Sequence, residues 1–416
     1  MVFICGGYED SSRKGAKAAK EILNNRGSAL RLCAFARNCS KMLSTVEHAF
    51  AFAQQQVRAL TQRDPNFYPL YTDQGRWRHE KPAWTHWCDG FLPGMMWIFH
   101  EESGDPEWLE LAQTYSRALE PRKDDREVHD LGFIFYHGTY KRWYDSTVRS
   151  GTPNQALKDV VIHAGRTLAL RFHERARCLR SFHGPDSNFI DIMMNVCVIF
   201  YAALEANDPS LLEVARRHCA TTRRTLVRND GSTSHEGIFD LETGEFLRQT
   251  TQQGLTGESC WTRGLAWSLY GFGTCYGLTR DPMYLETAEL NAEYWLDHAP
   301  ENGVVPWDFD APASGPLSRA QVDTSASAIA AVGLLNLADF SVNEARRNAY
   351  RERAMKTIGT LATEYLGESV NGWEGILLGG VYHIHKNLGV NESVMWGEFF
   401  FVEALQRALR ILRNPI

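Results

Sequence analysis

One short phrase recurs three times along this chain of 416 residues, each time directly after a strongly apolar stretch. It has the form Asp-Pro-x-x-Leu-Glu-x-Ala and begins at Asp105, Asp208 and Asp281. Aspartate accepts a backbone N–H at a helix start, and proline suits the first helical position because its missing N–H would have no partner there. Each phrase therefore predicts an amphipathic helix that follows an apolar helix after a tight turn.

The same alternation continues over the rest of the chain from Leu43. A helix that is apolar on nearly all sides must be enclosed by protein, whereas a helix with one apolar stripe lies outside. Inner helices are predicted near 87–101, 130–148, 190–205, 258–277, 324–339 and 393–411, and outer helices near 43–63, 106–118, 154–172, 209–228, 282–297 and 344–365. Six such hairpins predict an all-α fold, an (α/α)6 barrel.

The domain organisation follows from the same pattern. A solenoid of tetratricopeptide repeats would show a constant period, whereas the Asp-Pro phrases are unevenly spaced, which favours a closed barrel with long loops. We expect residues 43–416 to form a single catalytic domain. Residues 1–42 lack the periodicity and are predicted to be an N-terminal extension, whose role the residues do not indicate.

Composition and motifs exclude several classes of function. The net charge is −6 without a block of Lys or Arg, so neither nucleic acid nor an anionic membrane is an expected partner. No apolar run is long enough for a signal peptide or a membrane span, and the nine cysteines form no CxxC pair, which indicates reduced thiols in the cytoplasm. No nucleotide-binding motif is present, and His383-Ile-His385 lacks a third ligand, so neither a cofactor nor a metal is predicted.

Two aspartates stand at the mouths of two predicted inner helices. Asp130 precedes the apolar run 131–136, and Asp191 precedes a run that continues to Leu204. The structural alternative for Asp130 is a helix N-cap. Acid/base chemistry on a sugar uses two carboxylates, because one group cannot both manage the proton and stabilise the charge. The matched positions therefore predict a catalytic pair.

Aromatic and charged residues collect in the predicted loops ahead of the inner helices. Trp84 is predicted to stack on a sugar ring, whereas Trp87 and Trp97 are assigned to the core. A loop histidine such as His235 is more often solvated than catalytic. Arg263 stands early in an apolar helix, where a buried cation needs an anion. That anion is a ligand carboxylate or, as the structural alternative, one of the two aspartates above.

The motifs around these residues form a set with a fixed order. They are Trp84 with Gly90-Phe91-Leu92-Pro93-Gly94, His129-Asp130-Leu131-Gly132-Phe133, Ile190-Asp191 with Met194-Asn195, His235, Gln253-Gly254, Trp261-Thr262-Arg263-Gly264, and Glu392-Ser393 with Trp396-Gly397-Glu398-Phe399. This set resembles the unsaturated glucuronyl hydrolases of glycoside hydrolase family 88, from about residue 40 to the end. The resemblance implies an (α/α)6 barrel that removes a 4,5-unsaturated uronic acid from the non-reducing end of polysaccharide-lyase products.

The resemblance also implies roles for individual residues. Asp191 is similar to the family's general acid/base, and Asp130 to its second essential carboxylate. The residues expected to contact the substrate are Trp84, His129, His235, Gln253, Trp261, Arg263 and Ser393. Two positions depart from the family pattern, because Phe182 stands where a tryptophan is expected and Glu398 where an aspartate is expected.

The implied substrate is a vinyl ether, with its C4=C5 bond joined to the ring oxygen and to the C6 carboxylate. Protonation at C4 leaves an oxocarbenium-like centre at C5. Water then adds at C5, and the hemiketal opens and releases the remaining saccharide. An aspartate that serves as acid and then as base needs a pKa above the usual value of about 3.9, which burial and a second carboxylate favour.

Three other functions are compatible with the same residues. They are an unsaturated rhamnogalacturonyl hydrolase acting on pectin fragments, an inverting (α/α)6 glycosidase, and a non-catalytic carbohydrate-binding barrel. The expected partner in the main hypothesis is an oligosaccharide that carries an unsaturated uronate. The chain is expected to be a monomer or a homodimer.

Overall fold

The computed structural model describes residues 40–78 and 86–414. Helices follow one another along these residues as alternating inner and outer elements. In chain order they are α1 (40–63), α2 (Phe91–Ser103), α3 (Pro106–Ala118), α4 (Tyr140–Arg149), α5 (Gln155–Ala169), α6 (Ile192–Asn195), α7 (Cys197–Ala206), α8 (Pro209–Thr225), α9 (Thr262–Thr279), α10 (Pro282–His298), α11 (Thr324–Phe340), α12 (Glu344–Glu364) and α13 (Met395–Arg413). A π-helix (Gly132–Gly138) precedes α4, and short 3₁₀ segments connect longer elements at Glu120–Asp124, Gly367–Ser369 and Ile384–Lys386.

The inner helices form a closed ring. The order around it is α2, the π-helix with α4, the α6–α7 pair, α9, α11 and α13, and α13 packs back against α2. The outer helices α3, α5, α8, α10 and α12 each pack against the inner helix that precedes them. The predicted all-α (α/α)6 barrel is thereby confirmed.

The outer helix α1 belongs to the same core. The ring of Phe50 meets Phe99 of α2 edge-on at 5.3 Å, and Trp108 of α3 donates its indole N–H to Gln54 at 2.9 Å. Residues 1–39 lie outside the described residues. The boundary of the N-terminal extension at residue 42, and the extension itself, therefore stay predictions.

The three Asp-Pro phrases begin outer helices as predicted. Asp105, Asp208 and Asp281 are the N-caps of α3, α8 and α10, and each carboxylate accepts the backbone N–H two residues further on. Proline occupies the first turn each time. Because a cap of this kind stabilises a helix by about 1 kcal/mol, the phrases fix where each outer helix turns back along its inner partner.

Two inner elements differ from the continuous helices predicted over 130–148 and 190–205. The first begins as the π-helix, which closes where Thr139 N–H donates to the carbonyl of Ile134 at 2.9 Å. The second is divided into α6 and α7. Short π-helical turns inside helices are frequent at functional sites, and these two interruptions face one another.

A close approach of backbones explains why the two interrupted helices meet. A Cβ atom on Gly132 would collide with the backbone of Asn195, so only glycine permits this contact. The N–H of Phe133 donates to Asn195 Oδ1 at 2.8 Å, the N-cap of the π-helix is Leu131, and Asp130 Oδ2 has no hydrogen-bond partner among the described residues. The N-cap interpretation of Asp130 is therefore wrong, and its carboxylate is left for another purpose.

Short antiparallel strands lie in the loops ahead of inner helices. Within the described ranges they are β1 (Tyr71–Asp73), β2 (Arg76–Arg78), β3 (Phe172–His173), β4 (Cys178–Leu179), β5 (Ser187–Phe189), β6 (Glu236–Phe239), β7 (Phe246–Thr250), β8 (Gly380–His383) and β9 (Leu388–Glu392). The pairs are β1–β2, β3–β4 and β8–β9, and β5–β6–β7 form a three-stranded sheet. Among the helices of the described residues, none is both long and apolar enough to cross a membrane.

Candidate active site

A cleft opens at the end of the barrel where the inner helices α6 and α9 begin. It contains about 440 Å³ of space between the atoms, part of which is open to solvent. Its walls carry several predicted site residues together with five aromatic residues that were not predicted there. The lining consists of Trp87, His129, Asp130, Phe182, Phe189, Asp191, Gln253, Trp261, Arg263, Trp267 and Tyr382.

The two predicted carboxylates lie on either side of His129. The Nε2 atom of His129 is 3.4 Å from Asp130 Oδ1 and 3.7 Å from Asp191 Oδ1. Asp191 is the more accessible of the two, with 14% of its side chain exposed against 5% for Asp130. The structure therefore brings the two predicted carboxylates together, and His129 is the group that joins them.

The hydrogen bonds of His129 identify its tautomer. Its Nδ1 atom accepts the backbone N–H of Phe182 at 3.0 Å, so the ring proton of the neutral imidazole is on Nε2 and points between the carboxylates. Burial lowers the pKa of His129, but Asp130 and Asp191 outweigh it and raise that pKa overall.

The same surroundings shift the pKa values of the two aspartates in opposite directions. Burial and the charge of Asp191 raise the pKa of Asp130 to about 6, although His129 opposes them. Burial also acts to raise the pKa of Asp191, but the interaction with His129 outweighs it and lowers that pKa. The expectation of a raised pKa on Asp191 is therefore wrong for the protein without ligand, and Asp130 is the member of the pair whose pKa is raised.

Each carboxylate keeps an oxygen for a ligand or a proton. Asp130 Oδ2 and Asp191 Oδ1 are buried and have no hydrogen-bond partner among the described residues. Buried polar atoms in folded proteins are almost always hydrogen-bonded, and exceptions mark functional sites. The pair is thus arranged to interact with something other than the protein.

His235 is buried beside this pair as a neutral hydrogen-bond donor. Its Nδ1 atom accepts the backbone N–H groups of Gln252 and Gln253 at 3.0 and 3.3 Å, which places the ring proton on Nε2. That Nε2 atom is buried and has no hydrogen-bond partner within residues 40–78 and 86–414. Burial lowers the pKa of His235 to about 3, so the ring stays neutral. The interpretation of His235 as a solvated loop residue is wrong.

Arg263 lines the cleft, but its guanidinium is held inside the protein. It forms an ion pair with Asp323 at 2.8 Å and also donates to the carbonyls of Val381 and Tyr382. Its remaining donor contact is Gln253 Oε1, at 2.6 Å. A bidentate pair with a ligand carboxylate does not fit this arrangement, and neither does the alternative pairing with Asp130 or Asp191. Asp323, outside every predicted motif, is the partner that the sequence analysis missed.

Gln253 gains a defined orientation from this contact. Because its Oε1 atom accepts from Arg263, its NH₂ group is directed away from the guanidinium and lies in the lining of the cleft. Trp261 lies under the same guanidinium, with 4.6 Å between the Arg263 Cζ atom and the ring centroid. Gln253 and Trp261 are therefore placed in the site as predicted.

Ser393 is outside the cleft. Its hydroxyl is buried, donates to the carbonyl of Leu377 and accepts the indole N–H of Trp373 at 2.8 Å. The structure therefore does not place it in contact with a ligand in the cleft, because the hydroxyl is buried elsewhere and its proton is used inside the protein. Trp84 lies outside the described residues, so its stacking role stays a prediction.

The walls of the cleft are aromatic. Trp87 was assigned to the core, yet it is only half-buried and lines the cleft, whereas Trp97 is buried against Ser116 and Trp143 as predicted. Phe182, noted in the sequence only as a departure from a family pattern, stacks on His129 with 5.4 Å between ring centroids. The other additions to the lining are Phe189, Trp267 and Tyr382. These residues are far apart along the chain, so no local motif indicated that they would meet in the cleft.

The site has no arrangement typical of a metal centre. In the part of the chain that the structure describes, no three His, Cys, Asp or Glu side chains are grouped so that they could hold a metal ion. Of the HxH histidines, His385 contacts the carbonyl of Gly254 at 2.8 Å, and His383 is buried.

Comparisons with known proteins agree with the geometry. No family model matches the sequence. The chain is 31% identical over 337 residues to a protein named unsaturated glucuronyl hydrolase from Bacillus sp. (strain GL1), covering 78% of this chain and 87% of that protein. It is 27% identical over 332 residues to a protein named unsaturated chondroitin disaccharide hydrolase from Streptococcus pyogenes serotype M1, covering 78% and 81%.

Solved structures show the same likeness. The crystal structure of unsaturated glucuronyl hydrolase from Bacillus sp. GL1, described as responsible for the degradation of glycosaminoglycan, superposes on this chain with a TM-score of 0.80 at 28% identity. The superposition covers 87% of this chain and 96% of that one.

Proposed function

Since this chain belongs to the unsaturated glucuronyl hydrolase family, we propose that it removes a 4,5-unsaturated glucuronate from the non-reducing end of glycosaminoglycan fragments made by polysaccharide lyases. The observation that carries the mechanism is the pair Asp130 and Asp191 around the Nε2–H of His129. Both carboxylates keep an unpaired oxygen, and the aromatic walls suit the faces of a sugar ring.

Asp191 is the proposed acid and base, because its side chain is the more exposed member of the pair. The pKa of Asp191 is lowered in the free protein, but an anionic uronate bound beside it would raise that pKa, since like charges disfavour ionisation. The pair then takes up a proton, which Asp191 holds. Two neighbouring carboxylates titrate together, so the bound anion promotes protonation of the pair as a unit.

The reaction proceeds by hydration of the double bond. The π electrons of C4=C5 take the proton of Asp191 at C4, and a lone pair of the ring oxygen stabilises the cation at C5. The Asp191 carboxylate then accepts a proton from water while the water oxygen bonds to C5. The charged Asp130 stabilises the cation. In the hemiketal so formed, the C5 hydroxyl becomes a ketone as the bond from C5 to the ring oxygen breaks, and its proton passes to the ring oxygen. C1 is then a hemiacetal, whose hydroxyl becomes an aldehyde as the bond from C1 to the glycosidic oxygen breaks, and the proton passes to the departing saccharide.

His235 and Gln253 are the proposed ligands of the uronate carboxylate. The Nε2–H of His235 and the NH₂ group of Gln253 are neutral donors without a protein acceptor among the described residues. Arg263 acts behind them as a positioning residue, because its bond to Gln253 Oε1 fixes which end of that amide faces the ligand. Its charge, only partly offset by Asp323, also favours an anion in the cleft.

A substrate panel tests the proposal. The conjugated double bond absorbs in the ultraviolet, so turnover on lyase digests of chondroitin, hyaluronan, heparin, gellan or pectin is followed as loss of absorbance. We expect loss on glycosaminoglycan digests. Loss on pectin digests alone would instead support an unsaturated rhamnogalacturonyl hydrolase, and no loss on any digest would support a non-catalytic barrel.

The cellular setting is part of the proposal. We assign the protein to the cytoplasm as a monomer or homodimer, because the six cysteines within the described residues are free and buried, as expected where thiols stay reduced. Cell fractionation and size-exclusion chromatography test the two statements separately. Recovery of the protein in a secreted fraction would contradict the first.

A further inference from the structure

A second cleft adjoins the active-site cleft, and the exposed ring of Phe182 borders both. It is open and contains about 1030 Å³ of free space. Its walls carry three arginines, Arg126, Arg171 and Arg180, together with the carboxylate of Glu127, whereas His183 in the same wall contacts the buried Glu236 at 3.1 Å. A chain with a net charge of −6 therefore concentrates positive charge beside its proposed active site.

Arg171 holds the two walls of this second cleft together. Its guanidinium donates to the backbone carbonyls of Arg126, Arg180 and Ser181, and Arg180 Nε returns a bond to the Arg171 carbonyl at 3.1 Å. These contacts fix the backbone on both sides without using the guanidinium of Arg126 or the terminal nitrogens of Arg180. The backbone of both walls is therefore fixed, and the guanidinium of Arg126 and the terminal nitrogens of Arg180 stay available to a ligand.

Neither Arg126 nor Arg180 forms an ion pair with a carboxylate of the described residues, whereas arginines elsewhere commonly do. Examples of paired arginines are Arg58 with Asp105 and Arg142 with Glu403. A guanidinium presents a planar fork of donors that matches a carboxylate or a sulfate. The second cleft thus offers two such forks to an anion from outside.

The position of the second cleft relative to the catalytic pair indicates what enters it. The charge of Arg171 is close enough to lower the pKa of Asp130, and Phe182 stacks on His129. A uronate held between the carboxylates occupies the enclosed part of the site, so the saccharide attached to it must extend toward solvent. The route past Phe182 leads directly to Arg126 and Arg180.

We infer that this second cleft binds the leaving saccharide, and that Arg126 and Arg180 bind an anionic group on it, either a sulfate ester or a carboxylate. The inference rests on the proposed function and adds a substrate preference to it. Fragments with an acidic leaving saccharide are then better substrates than fragments with a neutral one. Salt should weaken the preference, because both cations are at least partly exposed and ions screen them.

The experiment compares four substrates. They are an unsaturated chondroitin disaccharide without sulfate, its 6-sulfated form, an unsaturated hyaluronan tetrasaccharide whose leaving part carries a carboxylate, and an unsaturated gellan tetrasaccharide whose leaving sugars are neutral. The variants are Arg126→Ala, Arg180→Ala, the double variant and, as a matched control, Arg224→Ala, an exposed arginine of α8 outside both clefts.

We expect the double variant to lose about tenfold in kcat/KM on the acidic substrates, mainly through KM, as exposed charge contacts are individually weak. On the unsulfated disaccharide and the gellan fragment it should stay within about twofold, as should Arg224→Ala on all four. A loss on the sulfated disaccharide alone identifies sulfate as the ligand, and a loss on the tetrasaccharide alone identifies carboxylate.

Two outcomes would overturn the inference. One is a double variant that acts like wild type on every substrate, and the other is an equal loss on neutral and acidic substrates, which indicates a damaged fold. If one of these outcomes occurs while the wild-type protein is active on any of the four substrates, the proposed function stands and only the subsite is refuted. Inactivity on all four removes the proposed function, and the subsite with it. Calorimetry of the 6-sulfated disaccharide with Asp191→Asn, with and without the arginine changes, measures the subsite without turnover.

Discussion

The two ends of the π-helix carry similar residues that are used in different ways. At one end, Asp130 follows His129 beside Asp191, and two carboxylate oxygens have no partner among the described residues. At the other end, His137 lies in a cavity with about 840 Å³ of free space. Both ends combine a buried histidine, carboxylates and aromatic rings. Residue types alone therefore do not distinguish a reactive site from a structural one.

The difference lies in which polar groups are satisfied. In the cavity around His137, Arg142 pairs with Glu403 at 2.6 Å, and Tyr270 donates to the other oxygen of that carboxylate at 2.9 Å. His137 Nε2 contacts the carbonyl of Met194 at 3.0 Å. Charges at this end neutralise one another, which stabilises the barrel. At the catalytic end, unsatisfied groups reduce stability and are available for a ligand.

The largest effect is expected at the catalytic end. Asp191→Asn keeps the shape of the side chain but cannot deliver or accept the proton, so kcat/KM should fall by about 10² to 10⁴, the usual range for general acid/base catalysis. Circular dichroism should show an unchanged fold, and calorimetry an almost unchanged affinity. A variant within about tenfold of wild type would move the acid/base role to another residue.

Asp130→Asn should reduce activity comparably and make the protein more stable at pH 7. Burial raises the pKa of Asp130 to about 6, above the ordinary value that it has in the unfolded chain. At a pH above that ordinary value, the carboxyl therefore ionises less readily in the folded protein, and its ionisation lowers the free energy of unfolding. The cost amounts to at most about 3 kcal/mol at pH 7 and vanishes below pH 4. Denaturant unfolding of both proteins at pH 7 and pH 4 measures the difference. A less stable variant at pH 7 would contradict this explanation.

His137→Gln tests the other end of the π-helix through acid stability. Burial lowers the pKa of His137 to about 4, so the unfolded chain binds a proton below pH 6.5 that the folded protein does not. The free energy of unfolding of the wild-type protein should therefore fall by about 3 kcal/mol because of His137 as the pH falls from 6.5 to 4. The variant, whose amide can still donate to Met194, should lack that component and keep full activity. Equal acid sensitivity in both proteins would refute the assignment.

Glu403→Gln should give the smallest effect. The substitution leaves Arg142 without its ionic partner, although both side chains are partly exposed. A loss of about 1 to 3 kcal/mol in the free energy of unfolding is expected, with kcat/KM within about twofold of wild type. Thermal unfolding and the absorbance assay provide the two values. A large loss of activity at unchanged stability would show that the two ends of the barrel are coupled.

The sequence predicts what depends on neighbouring residues. The caps at Asp105, Asp208 and Asp281 are local, and so is the position of Asp130 and Asp191 at the mouths of apolar runs. Together with the alternation of apolar and amphipathic segments, these features give the barrel and the end at which its site lies.

Contacts between distant segments escape such an analysis. Arg263 clearly needed an anion, but its partner Asp323 belongs to the next inner helix, and nothing near Arg263 indicates that choice. The opposite pKa shifts of Asp130 and Asp191 arise from the burial of Asp130 and from the placement of His129 beside Asp191. Spacing along the chain carries no information about either arrangement.

The central claim is that this site hydrates a double bond instead of attacking the anomeric carbon. The most direct test measures two quantities in one reaction on an unsaturated chondroitin disaccharide: the loss of ultraviolet absorbance and the release of free amino sugar. Hydration predicts that one double bond disappears for each sugar released, from the first turnover onward. Release of the amino sugar with the absorbance unchanged would mean attack at C1 by an ordinary glycosidase and would contradict the account.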